Sequence, residues 1–100
     1  MAARQLPTAA ELDATFDALA HDARRQIVLV LAHYGPELPS GYLATRFAHS
    51  WPTTTRHLRV LEAAGLVRHE RQGRERVYRL DRKRLALARD WLDWFFKPTS

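Results

Sequence analysis

The sequence predicts a mainly α fold that carries one small β-hairpin. Apolar residues recur at three- and four-residue spacing in five separate segments, as in helices that bury one face. Between the fourth and fifth segments the pattern changes to two short β-tolerant runs that flank Gln72-Gly73, a suitable place for a tight turn. The resulting order (α-α-α-α-β-β-α) predicts a winged helix-turn-helix. Residues 1–100 are expected to form a single domain.

Start and stop signals set the expected limits of the first three helices. Thr8 stands three residues before Glu11, which is the spacing of a capping box at a helix N-terminus. The second helix should end at Gly35, and its apolar centre over residues 27–31 is expected to be buried on several sides. Ser40 is the N-cap expected for the third helix.

The fourth helix is predicted to have an inner face and an outer face. Ser50 can cap it, which places a recognition helix at about residues 51–64. Steps of about 100° per residue turn one set of residues inward: Thr54, Leu58, Leu61 and Gly65. The outer face carries an aromatic ring, hydroxyls and guanidinium groups: Trp51, Thr53, Thr55, Arg56 and Arg59. Hydroxyl and guanidinium groups at a helix start suit contacts with phosphates and base edges in the major groove of DNA.

Positive charge is concentrated in the second half of the chain, whose net charge is +5 overall. Residues 56–89 hold eleven basic and four acidic residues, a net charge of +7, and the rest has a net charge of −2. Ten of those eleven bases are arginine, which grips phosphate and base edges with paired donors, so a polyanion is the expected partner. The predicted wing, at about residues 66–80, is expected to reach the DNA backbone or the minor groove through Arg68, Arg71, Arg74 and Arg76.

Two stretches carry a family resemblance: FDALAHDARRQIVLVLA and TTTRHLRVLEAAGLVRHERQGRERVYRL. Over residues 12–96, the chain resembles the ArsR-type (arsenic-repressor) bacterial transcriptional regulators. The resemblance implies a homodimer that joins through its first and last helices, represses transcription and releases DNA when an inducer binds. It also implies that the outer face of the recognition helix contacts double-stranded DNA, with the wing arginines on the backbone. A two-fold dimer with one recognition helix in each chain is expected to need a palindromic operator.

The last helix has more large apolar side chains than one buried stripe needs. Asp81 can cap it, and its C-terminal half is rich in tryptophan and phenylalanine. A soluble monomer rarely leaves such a patch in water, so a second copy of the chain is expected to cover it together with the first helix. The expected dimerisation residues are Leu12, Phe16, Leu19, Trp91, Leu92, Trp94 and Phe95. The alternative, in which the rings fold back onto the first helix of the same chain, stays open.

Candidate metal ligands are few. The chain has no cysteine, and the last helix offers Asp90 and Asp93 without a histidine. The five histidines are scattered without ligand spacing: His21, His33, His49, His57 and His69. Metal-sensing ArsR-type proteins carry a cysteine pair or Asp/His ligands, so this chain is expected to be metal-independent and to need no cofactor. An unknown small-molecule or protein effector stays open.

Other function classes have weaker support. No nucleophile–base pair or glycine-rich phosphate loop indicates an enzyme. The alternative is a winged helix that binds protein or RNA without operator specificity, although readers of single-stranded RNA more often display aromatic rings on a sheet. Asp90 and Asp93 argue against a membrane-surface helix, the sequence has no apolar run of about eighteen residues, and no signal peptide is expected. The expectation is a cytoplasmic protein without a membrane partner.

Overall fold

The computed structural model describes residues 8–47 and 50–96, which form five helices and three strands. The helices are α1 (Ala9–Leu19), α2 (Asp22–Tyr34), α3 (Ser40–Arg46), α4 (Trp51–Ala63) and α5 (Arg82–Asp93). The strands are β1 (Leu38–Pro39), β2 (Val67–Gln72) and β3 (Glu75–Leu80). The predicted mainly α fold with a β-hairpin between the fourth and fifth helices is confirmed.

Strand β1 is an element that the sequence did not predict. It pairs antiparallel with β3, with Leu38 opposite Tyr78 and Pro39 opposite Val77, so the sheet order is β1-β3-β2. A strand of two residues has no detectable periodicity, and a proline argues against strand unless it lies at a sheet edge, as it does here. The pairing makes β3 the central strand and joins the hairpin to the segment between α2 and α3.

Three predicted helix caps are confirmed by their hydrogen bonds. The Thr8 hydroxyl accepts from the N–H of Glu11 at 3.1 Å, and the Glu11 carboxylate accepts from the N–H of Thr8 at 2.9 Å. Ser50 accepts from the N–H of Thr53 at the start of α4, and Asp81 accepts from an N–H in the first turn of α5. Each cap satisfies a backbone donor that has no partner within its helix.

Two local predictions are wrong by one residue. Ser40 is the first residue of α3 rather than its cap, because the chain passes directly from β1 into the helix and Pro39 occupies the cap position. The hairpin turn is centred on Gly73 and Arg74, because Gln72 is still paired in the strand. Gly73 has φ +66°, and a two-residue hairpin loop of this kind favours glycine at its first central position.

The core lies between α2, α4 and the sheet. Thr54, Leu58 and Leu61 are buried, which confirms the predicted inner face of α4. Helix α2 packs against α1, α4 and β3. The predicted burial of residues 27–31 on several sides is therefore confirmed, although Leu29 lies on the side of α2 that faces water and is 54% exposed.

Helix α5 packs along α1. The rings of Phe16 and Trp91 meet edge to face with centroids 5.5 Å apart, and the guanidinium of Arg84 contacts the carboxylate of Glu11 at 2.9 Å. The first and last helices therefore form one unit within a single chain. None of the helices in the described part of the chain is long and apolar enough to cross a bilayer.

Candidate nucleic-acid interface

Helix α4 presents the predicted outer face to solvent at its N-terminal half. Trp51 is 54% exposed, Arg56 and Arg59 are exposed, and Thr53 and Thr55 are half-buried. The hydroxyl of Thr53 accepts a hydrogen bond from the Ser50 hydroxyl at 2.9 Å, so it belongs partly to the helix cap. Its own hydrogen can still be donated to an outside acceptor.

A groove of about 290 Å³ runs between α4 and the hairpin. Its lining residues are Ser40, Trp51, Thr55, Arg59, Arg71, Arg74, Arg76 and Tyr78. The groove therefore has four guanidinium groups and no carboxylate on its walls, with the buried ring of Tyr78 beneath them. Such a surface attracts a ligand that brings several negative charges, as a phosphodiester backbone does.

Strand register explains which arginines face this groove. Arg71 lies opposite Arg76, and His69 lies opposite Tyr78, so these four residues share one face of the hairpin. The alternation of residues along each strand of the sequence also places His69 with Arg71 and Arg76 with Tyr78. His69 also contacts the carboxylate of Glu62 in α4 at 2.6 Å, which holds the same face of the hairpin against α4.

Arg68 is placed differently from the other predicted wing arginines. It lies on the opposite face of β2, five residues before the turn, which is roughly 16 Å along an extended strand. Its guanidinium forms an ion pair with Asp81 at 3.0 Å. Partial burial raises the pKa of Asp81, but the hydrogen bond from the N–H of Arg84 and the charge of Arg68 outweigh that effect, and the pKa is lowered.

The arginines divide into two groups by their partners. Arg79 lies between the carboxylates of Glu37 and Glu70, at 2.8 and 2.6 Å, and ties the hairpin to the segment before β1. By contrast, the guanidinium groups of five arginines form no ion pair or hydrogen bond with any residue in 8–47 or 50–96: Arg56, Arg59, Arg71, Arg74 and Arg76. Their donors are available to an external ligand, and all five were predicted as DNA contacts.

Comparison with known proteins agrees with this geometry. Residues 19–70 match the helix-turn-helix domain family. The chain is 45% identical over 84 residues to the HTH-type transcriptional regulator Rv2034 of Mycobacterium tuberculosis, an alignment that covers 84% of this chain and 77% of the relative. The chain belongs to the ArsR family of winged helix-turn-helix regulators. It is a transcriptional regulator with a helix-turn-helix DNA-binding domain, from a family of regulators rather than enzymes.

Solved structures of other ArsR-type proteins have the same fold. An ArsR-like transcriptional regulator from Rhodococcus sp. RHA1 superposes with a TM-score of 0.75 at 32% identity, over 86% of this chain and 79% of that chain. The homodimeric winged helix-turn-helix DNA-binding domain of Mb0332 from Mycobacterium bovis, a possible ArsR-family regulator, gives a TM-score of 0.71 at 26% identity, over 100% of this chain and 94% of that chain.

The aromatic end of α5 is exposed in this ArsR-family chain. Trp91 and Leu92 are 42% and 45% exposed, and the exposed fraction reaches 67% for both Trp94 and Phe95 and 80% for Phe96. Trp91 contacts α1 through Phe16, so one ring folds back within the chain, while the others stay largely in water. In α1, Leu12 and Phe16 are half-buried and Leu19 packs against the core.

Potential metal ligands are dispersed in the structure. Within residues 8–47 and 50–96, no group of three or more His, Cys, Asp or Glu side chains is placed to hold a metal ion. The rings of His21 and His57 lie 4.9 Å apart. His49 lies outside the described residues. Asp90 forms an ion pair with its neighbour Arg89 at 3.2 Å.

Two lining residues of the groove, Ser40 and Tyr78, were not predicted to belong to the site. Tyr78 shares a strand face with Arg76 in the sequence, which is a signal that could have found it. Ser40 enters because β1 brings the start of α3 beside β3, and that pairing has no signal in the sequence. Glu37, which anchors the wing through Arg79, was missed for the same reason.

Proposed function

We propose that this ArsR-family chain acts as a homodimeric, metal-independent repressor that binds an inverted-repeat operator in duplex DNA. The observation that carries the proposal is the groove between α4 and the hairpin, which has four arginines and no carboxylate on its walls. Its arginines have no described ion pair to break, so a phosphate backbone can enter without displacing an acidic partner.

In the proposed complex, the N-terminal half of α4 enters the major groove. Arg56 and Arg59 lie on its exposed outer face and can hold the acceptor edge of a guanine with two hydrogen bonds. Arg71, Arg74 and Arg76 contact phosphates on the flank, since they lie on the hairpin across the groove from α4. Arg68 has a smaller role, because Asp81 already holds it at the base of the wing.

The proposed dimer joins two chains through α1 and α5. Its support is the exposed aromatic end of α5 and the homodimeric state of the similar Mb0332 domain. A two-fold dimer presents two copies of α4 with opposite polarity, which requires an inverted repeat with half-sites about one helical turn apart. The expected dimer surface is Leu12, Phe16, Leu19, Trp91, Leu92, Trp94 and Phe95.

Metal independence rests on the chain's ligand chemistry. The absence of cysteine removes thiolate sites, and the described residues offer no group of three ligands. We expect the affinity for the operator to be unchanged by stoichiometric zinc or by a chelator. A tenfold change in the operator dissociation constant would contradict metal independence without contradicting DNA binding.

Selection from random duplexes tests the proposed function. The expected product is an inverted repeat, bound by two chains, and a promoter that contains it should lose activity when the protein is present. Recovery of sites without two-fold symmetry would contradict the dimeric mode. Preference for single-stranded RNA over every selected duplex would favour the alternative of an RNA-binding winged helix.

A further inference from the structure

One side chain, Arg84, contacts three elements that the proposed function uses. It projects from the first turn of α5, and its guanidinium forms an ion pair with Glu11 of α1 at 2.9 Å. The same side chain lies against Gly65, just beyond the end of α4, where a Cβ atom added to the glycine would be 2.7 Å from the Arg84 Nε atom. Arg84 therefore lies where the two helices of the expected dimer interface meet the recognition helix.

Glu11 uses both carboxylate oxygens in this arrangement. Oε1 accepts from the N–H of Thr8 and caps α1, while Oε2 contacts the guanidinium of Arg84. The hydrogen bonds to Thr8 have the largest effect and lower the pKa of Glu11; desolvation opposes them, and the charge of Arg84 lowers the pKa by a smaller amount. The carboxylate is thus held in one position by the helix that it caps, and this fixes the position of its arginine partner.

Gly65 is the point at which α4 ends and the chain turns towards β2. Its φ of +80° is a conformation that glycine adopts without steric cost, and the absence of a side chain leaves the space that Arg84 fills. Leu58 and Leu61 hold the inner face of α4 in the core. The contact of Arg84 with Gly65 limits movement at the C-terminal end, which is the end farther from the proposed DNA contacts.

We infer that Arg84, placed by Glu11, is a positioning residue that fixes the angle of α4 relative to α1 and α5, and so fixes the half-site spacing that the dimer accepts. This inference rests on the proposed function, since it requires a dimer through α1 and α5 and an inverted repeat. It assigns to the Glu11–Arg84–Gly65 contact a role in operator choice, although none of the three residues lies on the groove that faces DNA.

The geometry makes spacing sensitive to this contact. Helix α4 has 13 residues, so it is about 20 Å long. A tilt of about 10° about Gly65 would move its N-terminal end by about 3.4 Å, which is the rise of one base pair. The displacements of α4 in the two protomers would add, because the two copies of α4 are related by the two-fold axis of the dimer. A side chain that restrains a few degrees of tilt can therefore select one spacing over its neighbours.

The test compares affinity across a series of operators that differ only in the number of base pairs between the half-sites. Arg84→Met keeps much of the stem and removes the charge. Glu11→Gln keeps the acceptor of the capping box, in which glutamine serves as well as glutamate, and removes the charge that holds Arg84. The matched control is Lys83→Met, which removes one positive charge from the neighbouring exposed position of the same helix.

The wild-type chain and Lys83→Met are expected to bind the best spacing at least about tenfold more tightly than spacings one base pair longer or shorter. In Arg84→Met and Glu11→Gln this preference should fall to about threefold or less, while the affinity for a single half-site stays within about threefold of wild type. A merely structural role would lower all affinities together and leave the spacing preference unchanged.

Unchanged spacing preference in a folded, dimeric Glu11→Gln variant would overturn the inference and leave the proposed function intact. The same holds if Lys83→Met broadens the preference as much as Glu11→Gln does. If the wild-type chain prefers no inverted repeat at all, the proposed function fails and the inference fails with it. Circular dichroism and sedimentation of each variant establish folding and dimerisation; should Arg84→Met not fold, the milder Glu11→Gln variant decides the question.

Discussion

Arginine side chains in this protein differ in whether a carboxylate already holds them. Arg68, Arg79 and Arg84 each contact at least one acidic side chain, and in each case the contact joins two elements of the fold. Arg56 and Arg74 have no such contact within the described residues. An arginine without an acidic partner can bind phosphate or a base edge without first breaking an ion pair, which makes it the better candidate for a DNA contact.

Arg56 lies on the exposed face of α4, where the proposed complex places base edges. Arg56→Ala should therefore weaken binding to the selected operator by roughly 1–3 kcal/mol and should broaden the choice of base at one position in each half-site. The measurement is competition binding against operators substituted at each position. Equal weakening on all sequences would instead identify Arg56 as a phosphate contact.

Arg74 lies in the hairpin turn and lines the groove, where the proposed complex places phosphate. Arg74→Ala should weaken binding to specific and unrelated duplexes alike. The plot of log affinity against log salt concentration has a negative slope, and this slope should become less steep by about 0.9 for each phosphate contact that is lost. Arg68→Ala is the matched control from the same hairpin and should change the slope less, because Asp81 holds Arg68 at the other end. A larger slope change for Arg68→Ala would contradict this assignment.

At the scale of elements, the sequence predicted the helices and the hairpin well because their signals are local. The Thr8 capping box, the Ser50 cap and the inner face of α4 are set by residues a few positions apart, and each is confirmed. Strand β1 was missed because two residues show no period, and its existence depends on β3, about 40 positions away. The contact between Glu37 and Arg79, which anchors the wing, was missed for the same reason: the two residues are far apart in the sequence.

The partners of the arginines could not be predicted from the sequence. Arg68 and Arg71 occur in the same basic run, and charge alone predicts the same role for both. Strand alternation separates the faces of these two residues, but only the fold shows that the face of Arg71 turns towards the groove and that Asp81 lies beside Arg68. The candidate DNA contacts on α4 could be predicted from the sequence, because the period of a single helix is enough to separate its two faces.

The junction between the wing and α5 should respond to pH through Asp81. Its pKa is lowered in the folded protein, so its contribution to stability is present above the ordinary pKa of an aspartate and is lost as the pH falls through the acid range. Asp81→Asn keeps a side chain that caps helices well but loses the charge that attracts Arg68. The urea midpoint of the wild-type chain should fall more steeply than that of Asp81→Asn between neutral pH and about pH 3. Parallel curves would contradict this role.

At the scale of the whole molecule, helices α1 and α5 meet on one side and the groove proposed to bind DNA lies elsewhere. Helices α1 and α5 contact each other through Phe16 and Trp91, whereas the groove is formed by α4, the hairpin and the start of α3. In the proposed dimer, this arrangement leaves the groove accessible when a second copy covers the exposed end of α5.

The last prediction concerns assembly of the intact chain. Leu92 is the penultimate residue of α5 and Phe96 lies three residues beyond the end of this helix; both are exposed, and neither takes part in the contact between Phe16 and Trp91. The double variant Leu92→Asp, Phe96→Asp should therefore fold but place four carboxylates in the two-fold interface. Sedimentation at micromolar concentration should show a dimer for the wild-type chain and a monomer for this variant, which should also lose affinity for the inverted repeat.

Two further chains make this test specific. Leu29→Asp introduces one aspartate at an apolar residue of α2 that is 54% exposed, outside the expected dimer surface, and should remain dimeric. A chain that ends at Arg89 lacks the whole aromatic segment and should be monomeric or unfolded, because it also loses the packing of Trp91 on α1. A wild-type chain that sediments as a folded monomer would contradict the dimer. If Leu29→Asp is monomeric while the double variant Leu92→Asp, Phe96→Asp stays dimeric, the interface lies on α2 instead.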